Sequence, residues 1–171
     1  MVISTLVFTP ILLVSAEETT VAFQNPSAGI SLQYPSDWQK RENAMGVGVV
    51  IAVLAPRESV EDVFQENVNV IIQDLSASPM TLEDYTKLSE NQIKTLLPEG
   101  KVFNIEDFTL SGLPAKAMIY SSKQAQLSLK YLGVWAIQNN KAYLVTYTAQ
   151  QDKFETFLPQ AKAIISSIKI N

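Results

Sequence analysis

The sequence predicts an α+β fold, built as an antiparallel β-sheet with a helix packed on each face. Three observations carry this expectation: a series of short segments in which apolar and polar residues alternate, one long segment of helical periodicity, and a second amphipathic segment near the end of the chain.

The elements follow in order. Thr20 to Gln24 and Gly29 to Tyr34 read as two short strands joined at a tight corner, because Asn25-Pro-Ser-Ala between them is rich in turn formers. In the second, Ile30, Leu32 and Tyr34 point one way and Ser31 and Gln33 the other. Pro35 lacks an N–H and ends the ladder, and the turn Tyr34-Pro35-Ser36-Asp37-Trp38 brings a large aromatic back onto the core. Val47 to Leu54 is almost continuously apolar, the pattern of a central strand covered on both faces. Beyond Pro56, Glu58 to Glu66 is acidic and irregular or briefly helical, and Asn67 to Asp74 alternates again, with Val68, Val70 and Ile72 on one face.

Thr81 is the expected N-cap of a helix in which Leu82, Tyr85, Ser89, Ile93 and Leu96 recur at helical spacing, with Glu83 and Asp84 in the first turn where the helix dipole favours anions. Pro98-Glu-Gly100 stops it. Phe103 and Ile105 share a strand face, but Phe108 and Leu110 are out of phase with them, so a bulge or kink is expected at Glu106-Asp107. Ala115 to Ser121, Gln126 to Gln138 and Ala142 to Ala149 form a meander, with Asn139-Asn140 as a two-residue hairpin turn. Asp152 to Ile168 is amphipathic, and Pro159 inside it predicts a helix start or a kink.

Composition narrows the chemistry. The 171 residues include neither cysteine nor histidine, which excludes disulfides, thiolate nucleophiles, Cys/His zinc sites and imidazole bases. Lys and Arg number 13 against 17 Asp and Glu, with no basic run, so nucleic acid is not an expected partner. Val2 to Val14 is largely apolar and leads into Val14-Ser-Ala16-Glu, which reads as a signal peptide over residues 1–16 followed by one domain over 17–171. No basic residue precedes Lys40, so a start upstream of Met1 would complete such a leader; the alternative is a hydrophobic N-terminal strand or buried helix. The run is shorter than the roughly 20 residues of a spanning helix, and no transmembrane helix is expected in the mature chain.

Several segments, in order, resemble one family. They are Phe23-Gln-Asn25 leading into the Tyr-Pro-x-x-Trp turn, Glu66-Asn-Val-Asn-Val70, Met80-Thr-Leu82, Leu110-Ser-Gly-Leu-Pro-Ala115, Lys141-Ala-Tyr143 with Tyr147-Thr-Ala149, and Leu158-Pro159 near Ile164-Ile-x-Ser. Together they resemble the PsbP-like family, the photosystem II extrinsic protein and its prokaryotic relatives. The resemblance implies an α/β/α sandwich, a non-enzymatic role and, in phototrophs, peripheral attachment to photosystem II and its oxygen-evolving complex. Metal-binding histidines of that family have no counterpart here.

Candidate sites are few. Glu58, Glu61, Asp62 and Glu66 could offer oxygens to calcium, which takes roughly six to eight, although the loop lacks the Asp/Asn spacing and glycine of an EF-hand, and a solvated acidic loop explains them as well. No other cofactor is expected. Gly46-Val-Gly48 has Ile51 where a dinucleotide fingerprint needs its third glycine. Ser36, Ser111 and Ser121 lie in no nucleophile elbow, and Glu106 and Asp107 point apart on a strand. Tyr34, Pro35, Asp37 and Trp38 have structural work in their turn. Tyr85, Tyr120, Tyr131, Trp135, Tyr143 and Tyr147 pack a core or line a pocket between the meander and a helix. The expected function is therefore that of an extracytoplasmic, non-catalytic protein contacting a membrane-associated assembly, or alternatively a secreted domain that binds a small ligand or cell-envelope component.

Overall fold

The computed structural model describes residues 19–42 and 48–171; the expected leader, and the Gly46-Val47 part of the glycine pair, lie outside them. In chain order the elements are β1 (Thr20–Asn25), β2 (Ile30–Pro35), β3 (Gln39–Glu42), β4 (Val49–Leu54), β5 (Asn67–Asp74), α1 (Leu82–Leu96), β6 (Lys101–Leu110), β7 (Leu113–Gln124), β8 (Leu127–Gln138), β9 (Lys141–Gln150), α2 (Phe154–Ser167) and β10 (Lys169–Ile170). Among the described residues they form two antiparallel sheets. One has the order β1-β2-β10 and the other β3-β4-β5-β9-β8-β7-β6.

Alternation sorts the large sheet into two faces. Leu132, Val134 and Ala136 of β8, with Val145 and Tyr147 of β9 and Val68 and Val70 of β5, belong to the main core, which also takes Phe154, Ala161, Ile164 and Ile165 of α2. The neighbouring odd-numbered β8 residues point the other way. Trp135, with Met118 and Ala142, meets Tyr85 and Ile93 of α1 in a second cluster. The small sheet closes the α2 side through Phe23, Leu32 and Tyr34. Its corner depends on Gly29, at φ +66°, where a Cβ would stand 3.0 Å from the Asn171 carbonyl oxygen.

Capping and turn chemistry follow the sequence closely. Thr81 Oγ1 accepts from the Asp84 N–H at 3.1 Å, satisfying one of the open donors of α1. Asn139 and Asn140 have φ of +52° and +56° and close the β8–β9 hairpin. Every residue of β4 is buried. The segment after Pro56 is irregular, without helix.

The apolar β4 lies inside the sheet as expected, between β5 and the short, exposed and wholly polar β3. Three expectations need correction. The ladder irregularity of β6 falls between Val102 and Asn104, so Phe103 is the extra residue and Glu106-Asp107 pairs regularly with Lys116 and Ala117. Pro159 does not start a helix: α2 runs through it from Phe154, and burial of Phe154, Ala161, Ile164 and Ile165 offsets the backbone hydrogen bond that proline cannot make. Leu96, expected on the inner face of α1, is 71% exposed because the helix passes the edge of its core there.

The turn after β2 is held by its backbone and its aromatic. Trp38 N–H donates to the Pro35 carbonyl at 3.0 Å, Ser36 N–H to that of Thr19 at 2.8 Å, and the Trp38 ring stands edge-on to Phe157 of α2 with centroids 6.4 Å apart. Tyr34 and Pro35 are buried while Asp37 is exposed. Replacing Trp38 by Ala should cost about 3–5 kcal/mol in urea unfolding, the range for large-to-small changes at buried aromatics; a loss below about 1 kcal/mol would show that the turn is anchored by its backbone alone.

Candidate functional site

The acidic loop is built on a turn of its own. Asp62 accepts the backbone N–H of Phe64 at 3.0 Å and that of Glu58 at 3.2 Å, and Arg57 donates to the Asp62 carbonyl. Gln65 donates to the Ala55 carbonyl at 2.8 Å, and Glu58 pairs with Lys153, the residue before α2, at 2.7 Å. The loop is thus tied to the end of β4 and to the start of α2. Val60 and Val63, 94% and 73% exposed, stand on it among the carboxylates.

These bonds separate the four carboxylates proposed as calcium ligands. Glu58 is committed to Lys153, Asp62 to backbone amides, and Glu61 is exposed. Glu66 turns inward, is 1% exposed, and accepts the Gln150 N–H at 3.2 Å. Among the described residues no group of three or more Asp or Glu side chains is placed to hold a metal ion. Burial pushes the Glu66 carboxyl above its ordinary range; the N–H groups of Glu66 and Gln150 oppose the rise, and the Asp62 and Glu58 carboxylates add to it. The Tyr147 phenol, which donates to the Phe154 carbonyl at 2.9 Å, is also raised, by burial first and by Glu66 and Glu155 next.

The meander offers a cleft on each face. Between β7, β8, β9 and α1 lies one of about 320 Å³, with Tyr85, Tyr120 and Trp135 among its lining residues. The Trp135 indole N–H donates to Thr86 Oγ1 at 3.0 Å, Thr86 Oγ1 donates in turn to the Leu82 carbonyl at 2.7 Å, and the Tyr85 hydroxyl donates to Gln73 at 2.8 Å. Tyr131 lies beside the cleft, stacked on Tyr120 at 4.5 Å and bonded to the Ser122 hydroxyl at 3.0 Å. Tyr147, and Tyr143 opposite Ala136, face the α2 side instead. On that side a second cleft of about 250 Å³ lies between Phe108, Ile119, Leu132 and Leu158, with Glu106 and Lys162 at its rim.

The remaining candidates have structural partners or lie apart. Asp107 pairs with Lys116 at 2.5 Å while Glu106 bonds Asn104 at 3.2 Å on the other face. Lys130 pairs with Glu155 at 3.1 Å and stands over the Phe154 ring. Ser111 Oγ accepts the Ile170 N–H at 2.8 Å. No helix of the described residues is long and apolar enough to cross a membrane. Sequence reasoning missed the inward Glu66, whose position directly before the alternating β5 was the available signal, and the valines of the loop.

With this geometry in place, comparison with known proteins is decisive on one point: the PsbP family model matches residues 18–170. The chain belongs to the PsbP family. A search of the curated proteins returns no match. Among solved structures, the chain is similar to cyanobacterial PsbP (CyanoP) from Synechocystis sp. PCC 6803, with a TM-score of 0.65 and 15% identity over 92% of this chain and 96% of that one. It is also similar to LpqN, involved in cell envelope biogenesis of Mycobacterium tuberculosis, with a TM-score of 0.60 and 14% identity over 91% and 87%. A third, PA94 of Pseudomonas aeruginosa, gives 0.54 and 16% over 86% and 94%. At these identities the likeness shows a shared fold. The PsbP-family match spans nearly all of the described residues.

Glu66 gives a pH test. A carboxyl whose pKa is raised in the folded state adds stability that is complete below the unfolded value and is lost as pH rises through the folded one. Glu66→Gln keeps an acceptor for Gln150 and removes the titration. The urea midpoint of the wild type should therefore fall relative to that of the variant as pH rises above the ordinary glutamate value of about 4. Parallel midpoints across this range would show that Glu66 does not titrate differently on folding.

Proposed function

We propose that this PsbP-family protein is non-catalytic and extracytoplasmic, and that it acts through surface contacts with a membrane-associated assembly, photosystem II where the host is phototrophic. The observation that carries the reading is the loop from Pro56 to Gln65. It is fixed by side-chain bonds at both ends yet presents Val60 and Val63 to solvent within an acidic surface. Single exposed apolar residues are ordinary, but two on a pre-ordered loop lose little conformational freedom when covered, which favours docking. The carboxylates around them favour a basic partner surface, and attraction of this kind weakens with salt. Family membership and the similarity to CyanoP and to an envelope-biogenesis protein support an extracytoplasmic setting.

Tagged protein recovered from native membranes should bring down a saturable partner, photosystem II subunits in a phototroph. Val60→Ser combined with Val63→Ser should lower that recovery at least about fivefold without moving the thermal unfolding midpoint, since both side chains are exposed. Recovery of no partner, or equal recovery by the double variant, would overturn the reading.

A further inference from the structure

We infer that the cleft beneath α1 is a binding site for an uncharged, planar ring compound carrying a hydrogen-bonding group. This inference stands apart from the docking loop. At about 320 Å³ the cleft falls within the range of small-molecule sites. Its floor is aromatic and flat because residue 133 is glycine: a Cβ there would stand 3.3 Å from the Trp135 ring and 3.4 Å from that of Tyr120. Tyr120 is further fixed by stacking on Tyr131, with the two ring planes 6° from parallel. A fixed ring face favours a flat partner, which stacks in an offset or edge-on arrangement.

The rest of the lining sets polarity. Ser89 and Gln92 on α1 and Thr146 on β9 supply polar groups, Leu96 and Leu97 form an apolar mouth, and no charged residue lines the cleft. An ionised ligand would lose its hydration without a partner, so the occupant is neutral. Asn69, paired in register with Thr146 and so on the same sheet face, has a buried Oδ1 to which no described group donates. The Thr146 hydroxyl, which does line the cleft, is the polar group a ligand meets at this end.

Naphthol, a neutral two-ring probe with one hydroxyl, tests this. Titrated into the ¹⁵N-labelled protein, it should move the Trp135 indole N–H resonance saturably and leave that of Trp38, on the α2 side, in place. Gln92→Trp, at an exposed helix position, should block the cleft and weaken binding at least about tenfold, and Leu96→Trp should do so from the mouth. Thr146→Val should weaken it about threefold to tenfold through the lost hydroxyl. Circular dichroism melts confirm that each variant is folded. The inference is overturned by the absence of a saturable Trp135 shift, by a shift that survives both tryptophan variants, or by naphthalenesulfonate or decahydronaphthol binding as tightly as naphthol.

Discussion

Asn139 and Asn140 close the β8–β9 hairpin at positive φ, so Trp135 pairs with Leu144 and Val134 with Val145. That register decides which side chains each helix receives. Because side chains alternate, a slip of β9 by one residue against β8 would put Val145 and Tyr147 under α1 and Leu144 and Thr146 under α2. Each face is built for one helix only: Trp135 finds its acceptor in Thr86, and the Tyr147 hydroxyl finds its own in the Phe154 carbonyl. A slip of β9 would carry the Tyr147 hydroxyl away from its acceptor, a penalty added to the lost packing. The two helices thus read the sheet through hydrogen bonds as well as apolar area.

The same arrangement explains where open surface remains. α1 begins near β5, where Tyr85 reaches Gln73, crosses Trp135, and ends beside the β6–β7 edge, where the Lys123 N–H donates to the Pro98 carbonyl. An oblique helix covers one part of a twisted sheet and leaves a wedge along its flank, and that wedge is the aromatic cleft. On the opposite face α2 contacts β2, β5 and β9, so the β6–β7 side is only partly covered there too. The acidic loop is linked to the α2 side through Glu58 and Lys153. The docking loop and the aromatic cleft therefore belong to different packing units.

Much of this was legible in the sequence where one physical signal dominated. Alternation with two apolar faces identified the meander, Thr81 with Asp84 fixed the start of α1, and the paired asparagines fixed the hairpin. The strand β3 was not legible, since Gln39–Glu42 is polar throughout; an edge strand exposed on both faces carries no hydrophobic period and uses charge to avoid further pairing. β10 is two residues long and exists because the end of α2 brings it beside β2. The bulge was misplaced because Phe108 and Leu110 are out of phase with Ile105 for another reason: they pack into the α2-side core while Ile105 joins the α1 cluster, and the extra residue at Phe103 lies upstream of them all. For the candidate site, residue types were legible and their directions were not. Four carboxylates in nine residues read alike in the sequence, whereas in the structure Asp62 folds back on amides and Glu66 turns into the core.

The low identity to the similar structures, 14–16%, is itself informative. A fold held by alternation, hairpin register and two covering helices constrains polarity and size at each position far more than residue identity, so sequences can diverge widely over one scaffold. Positions that alternation does not dictate are then the ones free to carry function. Val60 and Val63 are exposed where a loop would be equally stable with polar residues, and Gly133, which weakens its strand, leaves the room that the Trp135 and Tyr120 rings occupy. Each runs against the local preference of its element, and each borders one of the two surfaces the packing leaves open. For the two valines, which answer to no packing need, such a departure marks a requirement other than stability, which is why the loop, rather than the structurally occupied turn at Trp38, is where function is to be sought.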